Sequence, residues 1–347
     1  MGKTNMDQFA TGLVGTRSPY GACVNPFDSR YIAGGSSSGS ALAVALDHVS
    51  FALGTDTAGS GRVPARFCEV VGLKPTRGLI STSGIVPACR SVDCVSIFAR
   101  TVEDASEVLQ ITAAPDADDP YSRIATAFSQ PAPGPHLRCG IPRAADLQFF
   151  GDSVAKSAFE RATAMLVAIG ADLVEIDYSP FADAARLLYD GPWLAERLAA
   201  ISTFYETSSD RMHPVVREIL GGGKRFDAID VFHAQERLAV LKKQSAQVWD
   251  RIDALVVPTT ATIYRVDQVL ADPIRLNSNL GYYTNFVNLL DLAAIAVPVA
   301  RRDDGLPFGI TLIAPAFHDR MLAAWAARVQ HASASTTLRQ SAQETTT

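Results

Sequence analysis

The chain has 347 residues, 48% of them hydrophobic and 19% charged, which is ample for a packed core and unlike a disordered or solvating tail. Thirty-one basic against 36 acidic side chains give a formal net charge of −5 with no basic stripe, so no nucleic-acid partner is expected. Five scattered cysteines without a C-x-x-C pair argue against a disulfide scaffold and a zinc site and fit a reducing cytoplasm. The first residues hold no apolar signal region, and no run approaches the ~18 apolar residues of a membrane helix. The expectation is a soluble, cytoplasmic globular protein.

In chain order, the first 40 residues are irregular and rich in Gly, Ser, Thr and Asn, ending in Gly34-Gly35-Ser36-Ser37-Ser38-Gly39-Ser40. Ser40 is positioned as N-cap of a helix over 41–48. A strand over 51–53 then runs into a second small-residue loop, Gly54-Thr55-Asp56-Thr57-Ala58-Gly59-Ser60-Gly61. A strand is predicted over 94–99, and Thr101-Val102-Glu103-Asp104 has the form of a capping box opening a helix to 112. Residues 115–135 are rich in Pro and Asp and predict a surface connection. Beyond it the pattern predicts a strand at 139–141, a helix over 153–169 and a strand over 172–176. Two longer helical patterns follow, over 182–205 and 228–251, then a buried strand over 254–258. A helix over 286–292, strands over 293–299 and 308–312 and a helix over 320–331 complete the order. The polar segment 333–347 is expected to be a disordered tail. Alternating strands and helices predict one α/β domain over 1–332, with a mixed central sheet covered by helices on both faces.

Glycine-rich loops first suggest phosphate binding. Gly54-x-x-x-x-Gly59 has the Walker spacing, but Ser60 stands where the phosphate-binding lysine is needed, so that reading fails. A serine between glycines, Gly59-Ser60-Gly61, is sterically free to act as a nucleophile. The backbone N–H groups of Thr57, Ala58, Gly59 and Ser60 are placed to converge on a developing oxyanion. The loop contains no base, and none of the six histidines sits in a shared motif with it. The alternative is that these glycines only make tight turns.

The two loops, continued by Arg62-Val63-Pro64-Ala65 and by Gly72-Leu73-Lys74-Pro75-Thr76-Arg77-Gly78, resemble the amidase signature family. The resemblance covers most of the chain and weakens in the middle. It implies an amidase-signature fold and a Ser-cisSer-Lys mechanism without metal or organic cofactor. Ser60 would be the nucleophile and Ser36 the bridging serine on a cis peptide after Gly35. Asp56 and Arg62 match family positions and are expected to brace the loop as mutual partners. The family lysine lies farther upstream of the bridging serine than the 35 residues this sequence supplies, so the chain is expected to be N-terminally incomplete. Lys3 and Lys74 are not its counterparts, and Lys74 is expected in a structural turn.

Within the family, Asn5-Met6-Asp7-Gln8-Phe9-Ala10-Thr11-Gly12, Cys89-Arg90-Ser91-Val92-Asp93-Cys94-Val95-Ser96 and 283–291 look like the allophanate hydrolase branch. That likeness implies hydrolysis of the terminal C–N bond of allophanate, a small planar anion, with release of ammonia. Tyr189 and Arg197 match the substrate-holding segment of that branch. Eight residues apart, they are expected on one face of a helix, Arg197 gripping the carboxylate. Taken without the resemblance, Arg197 reads as a surface arginine paired with Glu196. Two other readings stay open: a broader amidase, and a remnant or binding module that keeps the scaffold without chemistry. Apolar surface left by a missing segment predicts a homo-oligomer, with a dimer as the form expected.

Overall fold

The apolar runs of the sequence become eight strands of one mixed sheet: β1 (Phe51–Thr55), β2 (Val71–Lys74), β3 (Val95–Ala99), β4 (Leu137–Pro142), β5 (Ala171–Ile176), β6 (Ala254–Pro258), β7 (Leu292–Val299) and β8 (Phe308–Pro315). The computed structural model describes residues 1–124, 136–299 and 301–344, the side chains of 336–344 excepted. Within the expected connection 115–135, residues 125–135 lie outside the described residues, as do 345–347 of the expected tail. The strands run in the order β1-β3-β2-β7-β8-β6-β4-β5. β4 pairs parallel with β5 and β6, and the remaining pairs are antiparallel. β7 and β8 share an eight-residue register, from Leu292 opposite Pro315 to Val299 opposite Phe308, at the centre of the core.

Helices follow in chain order: α1 (Ser38–Ala45), α2 (Arg62–Phe67), α3 (Val102–Thr112), α4 (Ser153–Ala168), α5 (Ser179–Asp190), α6 (Trp193–Ala200), α7 (Ser202–Ser208), α8 (Pro214–Gly221), α9 (Ala228–Ala246), α10 (Val266–Ala271), α11 (Arg275–Leu280), α12 (Phe286–Leu289) and α13 (Asp319–Glu344). Local chemistry sets several starts. Thr101 accepts from the Asp104 N–H to open α3, Asp152 accepts from Ala155 N to open α4, and Asp227 and Asp230 form a capping box on α9. Two apolar layers sandwich the sheet. One packs α3, α4 and α13 around Trp325 and Phe159; the other packs α5, α9 and α12 around Tyr178, Phe181 and Phe286.

Four expectations are corrected. α1 starts at Ser38, and the Ser40 hydroxyl donates to Leu53 O at 2.8 Å instead of capping the helix. Lys74 is not in a turn but ends β2, a wholly buried strand laddered between β3 and β7. The helix expected over 182–205 is three helices, because Gly191-Pro192 interrupts it and Pro192 removes a backbone donor. The last helix runs on through Glu344, over most of the segment expected as a tail.

Candidate active site

Both small-residue loops come together where the chain enters α1 and α2. Ser36 is buried on the loop entering α1, and the Gly35–Ser36 peptide is cis. Asp7 frames this point. Its backbone N–H donates to Ser36 O at 3.0 Å, and its buried carboxylate accepts from the N–H groups of Val14, Gly15 and Arg17. Burial raises the Asp7 pKa, against the opposing pull of Arg17 and those three N–H groups. A Cβ at Gly35 would overlap Asp7 Oδ2, so only glycine fits before Ser36.

Ser60 ends the second loop just ahead of α2. Its Oγ donates to Gly12 O at 3.5 Å, which brings the 12–17 loop over the nucleophile position. Gly59 has φ +125°, and a side chain there would strike Thr284 Oγ1. The Thr284 hydroxyl itself donates to Ala58 O at 2.7 Å.

The expected Asp56–Arg62 brace is present and wholly buried. Arg62 Nε and Nη2 each donate to the Asp56 carboxylate at 2.9 Å, and Arg62 Nη2 also reaches Thr284 O at 3.1 Å. The same carboxylate accepts from Gly59 N at 2.7 Å and Gly61 N at 3.1 Å, so one side chain fixes the turn on both sides of Ser60. Burial works against the charge on Asp56. Arg62, together with Lys74 and the Gly59 N–H, outweighs it and holds the pKa below its ordinary value.

This geometry changes the expected oxyanion donors. The Gly59 N–H is directed at Asp56, leaving Thr57, Ala58 and Ser60, whose N–H groups have no acceptor among the described residues. Thr57 is held from behind: its hydroxyl donates to Asp93 Oδ1 at 2.6 Å, and Asp93 also accepts from Ala88 N and Cys89 N. Asn288 Nδ2 donates to both Asp56 O and Val92 O, pinning the loop from α12.

Tyr189 and Arg197 do meet, though not on one helix. Tyr189 closes α5, Arg197 lies on α6, and the guanidinium sits over the Tyr189 ring, 5.1 Å from its centroid. The Glu196 pairing gives way to a different arrangement. Glu196 accepts from Ser91 N and Ser91 Oγ, each at 2.7 Å, and from the Cys89 thiol at 3.1 Å. Arg197 is buried, and its Nε, Nη1 and Nη2 have no hydrogen-bond partner among the described residues. Burial opposes its charge, yet Tyr189, Cys89, Asp93 and Glu196 around it keep the pKa above the ordinary arginine value. Tyr189 packs into the same apolar cluster as Ala58, so the stacked pair borders the nucleophile loop.

Ser36 Oγ is likewise buried without a hydrogen-bond partner among the described residues. Lys74 Nζ donates to Pro75 O at 2.7 Å and lies 3.9 Å from Cys94 Sγ, and Lys3 is exposed. The five cysteines are free thiols. Asp93, Glu196, Thr284 and Asn288 hold the site together, and sequence reasoning assigned them no such role. The only signal for them was the likeness of the Cys89–Ser96 and Thr284–Asp291 stretches to the allophanate hydrolase branch.

Comparison with known proteins agrees with this arrangement. The Amidase family model matches residues 1–323. Urea amidolyase of Saccharomyces cerevisiae is 44% identical over 325 residues, which is 93% of this chain but 18% of that protein. The amidase-like component of the glutamyl-tRNA(Gln) amidotransferase of Prochlorococcus marinus is 35% identical over 354 residues, 93% of this chain and 72% of that protein. Allophanate hydrolase of Kluyveromyces lactis superposes with a TM-score of 0.93 at 42% identity, covering 96% of this chain and 54% of that one. The chain therefore spans about half or less of the urea amidolyase and allophanate hydrolase relatives.

Proposed function

The chain belongs to the amidase signature family, and from that premise we propose that it hydrolyses the terminal C–N bond of allophanate and releases ammonia. Ser60 Oγ attacks the terminal amide carbon, and the N–H groups of Thr57, Ala58 and Ser60 receive the oxyanion. Ser36 relays the proton lost by Ser60. Ammonia leaves with a proton returned along the same path, and water then hydrolyses the acyl-enzyme. The observation that carries the substrate class is Arg197, a buried guanidinium with three unpartnered nitrogens beside the nucleophile loop. Such a group is costly to leave bare, and a planar carboxylate satisfies it in two parallel hydrogen bonds.

The relay requires a base within hydrogen-bonding distance of Ser36 Oγ, and the mechanism assigns that place to a neutral lysine. The deciding experiment is ammonia release from allophanate by the purified chain, with Ser60→Ala as control. Release that depends on Ser60 supports the hydrolase and identifies a base already within the chain. A folded, silent chain supports the reading as a scaffold that needs its lysine supplied. A broader amidase is favoured by the likeness to the amidotransferase; turnover of neutral amides would support it, and turnover of allophanate alone would exclude it. We place the protein in the cytoplasm as a homo-oligomer, with a dimer as the simplest closed form.

A further inference from the structure

Against α6 lies a cavity of about 610 Å³ whose chemistry the amide reaction does not use. Its lining does not include Ser36, Ser60, Tyr189 or Arg197. Val92, Trp193, Leu238 and Leu289 form apolar walls, while Arg77 and Lys242 face it from the turn after β2 and from α9. The volume lies within the ~300–1,000 Å³ typical of small-molecule sites and is far larger than one carboxylate needs.

The charges around it do not balance. Asp291 is shared between Arg123, at 2.8 Å, and Arg77, at the longer distance of 3.7 Å. Glu196 also faces the cavity, but its carboxylate is engaged by Ser91 and Cys89. Lys242 has no ion pair and no side-chain hydrogen bond among the described residues. Three cations against two carboxylates leave one positive charge over, and Lys242 is the group that carries it. Burial and the like charge of Arg77 both lower the Lys242 pKa, with Asp291 opposing them, as expected for an ammonium short of a partner.

We propose that this cavity is a binding site for an organic monoanion, a carboxylate joined to an apolar or aromatic body. The carboxylate would lie between Lys242 and Arg77, and the body would stack on Trp193 and fill the space bounded by Val92, Leu238 and Leu289. The excess of one charge selects a monoanion, and the apolar walls select against inorganic phosphate or a bare small acid.

The test is calorimetric titration of the 1–347 chain with phenylacetate, using 2-phenylethanol as a neutral probe of nearly the same shape. Saturable binding of phenylacetate at one per chain is expected, with 2-phenylethanol binding at least about tenfold more weakly. Lys242→Met should weaken phenylacetate binding by roughly tenfold or more, since it removes one charged partner. Lys242→Glu should abolish binding while keeping the melting temperature at or above the parent value, because its carboxylate then sits beside Arg77 in place of the ligand. Circular dichroism of each variant confirms folding. The proposal is overturned if the folded parent shows no saturable binding of phenylacetate, if both probes bind equally, or if Lys242→Met leaves the affinity unchanged.

Discussion

Arg197 is the residue whose surroundings are most informative. An arginine that loses its solvent without gaining an acceptor is held ready for an anion, and the Tyr189 ring beneath it fixes the plane in which that anion must lie. Arg197→Met should therefore raise KM for allophanate by roughly 10- to 100-fold, the equivalent of ~1.5–3 kcal/mol for hydrogen bonds to a charged group. Its effect on any neutral amide should be small. Parallel kinetics on the two substrate types check this, and an equal loss on both would make Arg197 a structural residue. Asp56 poses the complementary case, a buried charge that already has its partner. Asp56→Asn strands Arg62 and should cost ~3–5 kcal/mol in denaturant unfolding. Because the folded pKa of Asp56 lies below the ordinary 3.8, its contribution is complete above that value and is lost as the pH falls through the folded one. The gap in melting temperature between parent and Asp56→Asn should accordingly be constant near neutrality and shrink only below about pH 4. A gap that closes between about pH 5 and 8 would point to another group.

At the scale of elements, the site depends on how α6 is seated. The break at Gly191-Pro192 turns the chain between Tyr189 and Arg197, and Glu196 then ties α6 to the 89–91 segment through Ser91 and Cys89. Glu196→Ala should free α6 at that end and raise KM for allophanate several-fold, with kcat much less affected because the Ser60 loop is braced separately by Asp56 and Asn288. Glu196→Gln keeps acceptors for Ser91 and should restore most of the loss; failure of that rescue would separate α6 from substrate binding. The same elements explain what could be read from the sequence. The loops around Ser36 and Ser60 were legible because their small residues and local spacing are the chemistry itself. Strand β6 was legible because a continuous apolar run has few other uses. Strand β2 was not: its four residues include Gly72 and are followed by Pro75, so it looks like a turn until β3 and β7 ladder it on both sides. Pro192 stood in plain view, but apolar periodicity on both sides of it hid the break. Asn288 and Thr284 reach the nucleophile loop from the far end of the chain, a pairing only the fold creates.

For the whole molecule, the telling feature is the end of the sheet. β1 pairs with β3 alone, so its other edge has open backbone donors and acceptors. Phe51 and Leu53, two residues apart and therefore on one face, are 47% and 45% exposed, and Leu46 and Val49 just before them are exposed as well. Beside them lies a groove of about 400 Å³ bordered by Met6, Phe9, Leu53, Ile85 and Val86. An apolar, unguarded edge strand is a template for a further strand, and proteins that leave one open usually blunt it with charge or proline. β1 carries neither. Two copies meeting edge to edge through a twofold axis would pair β1 with itself antiparallel and close the assembly as a dimer. Light scattering across a concentration series should then show self-association of the chain. Leu53→Lys should shift it toward monomer while leaving the Ser60 site intact, since what ties Leu53 to α1 is its backbone carbonyl, which accepts from Ser40 and survives the substitution. A lysine at Ile111, also exposed but on α3 and away from the edge, should leave the association unchanged. If both variants behave alike, or if the parent chain is monomeric throughout, the β1 edge is not the contact, and the surface that joins the copies lies elsewhere on the fold.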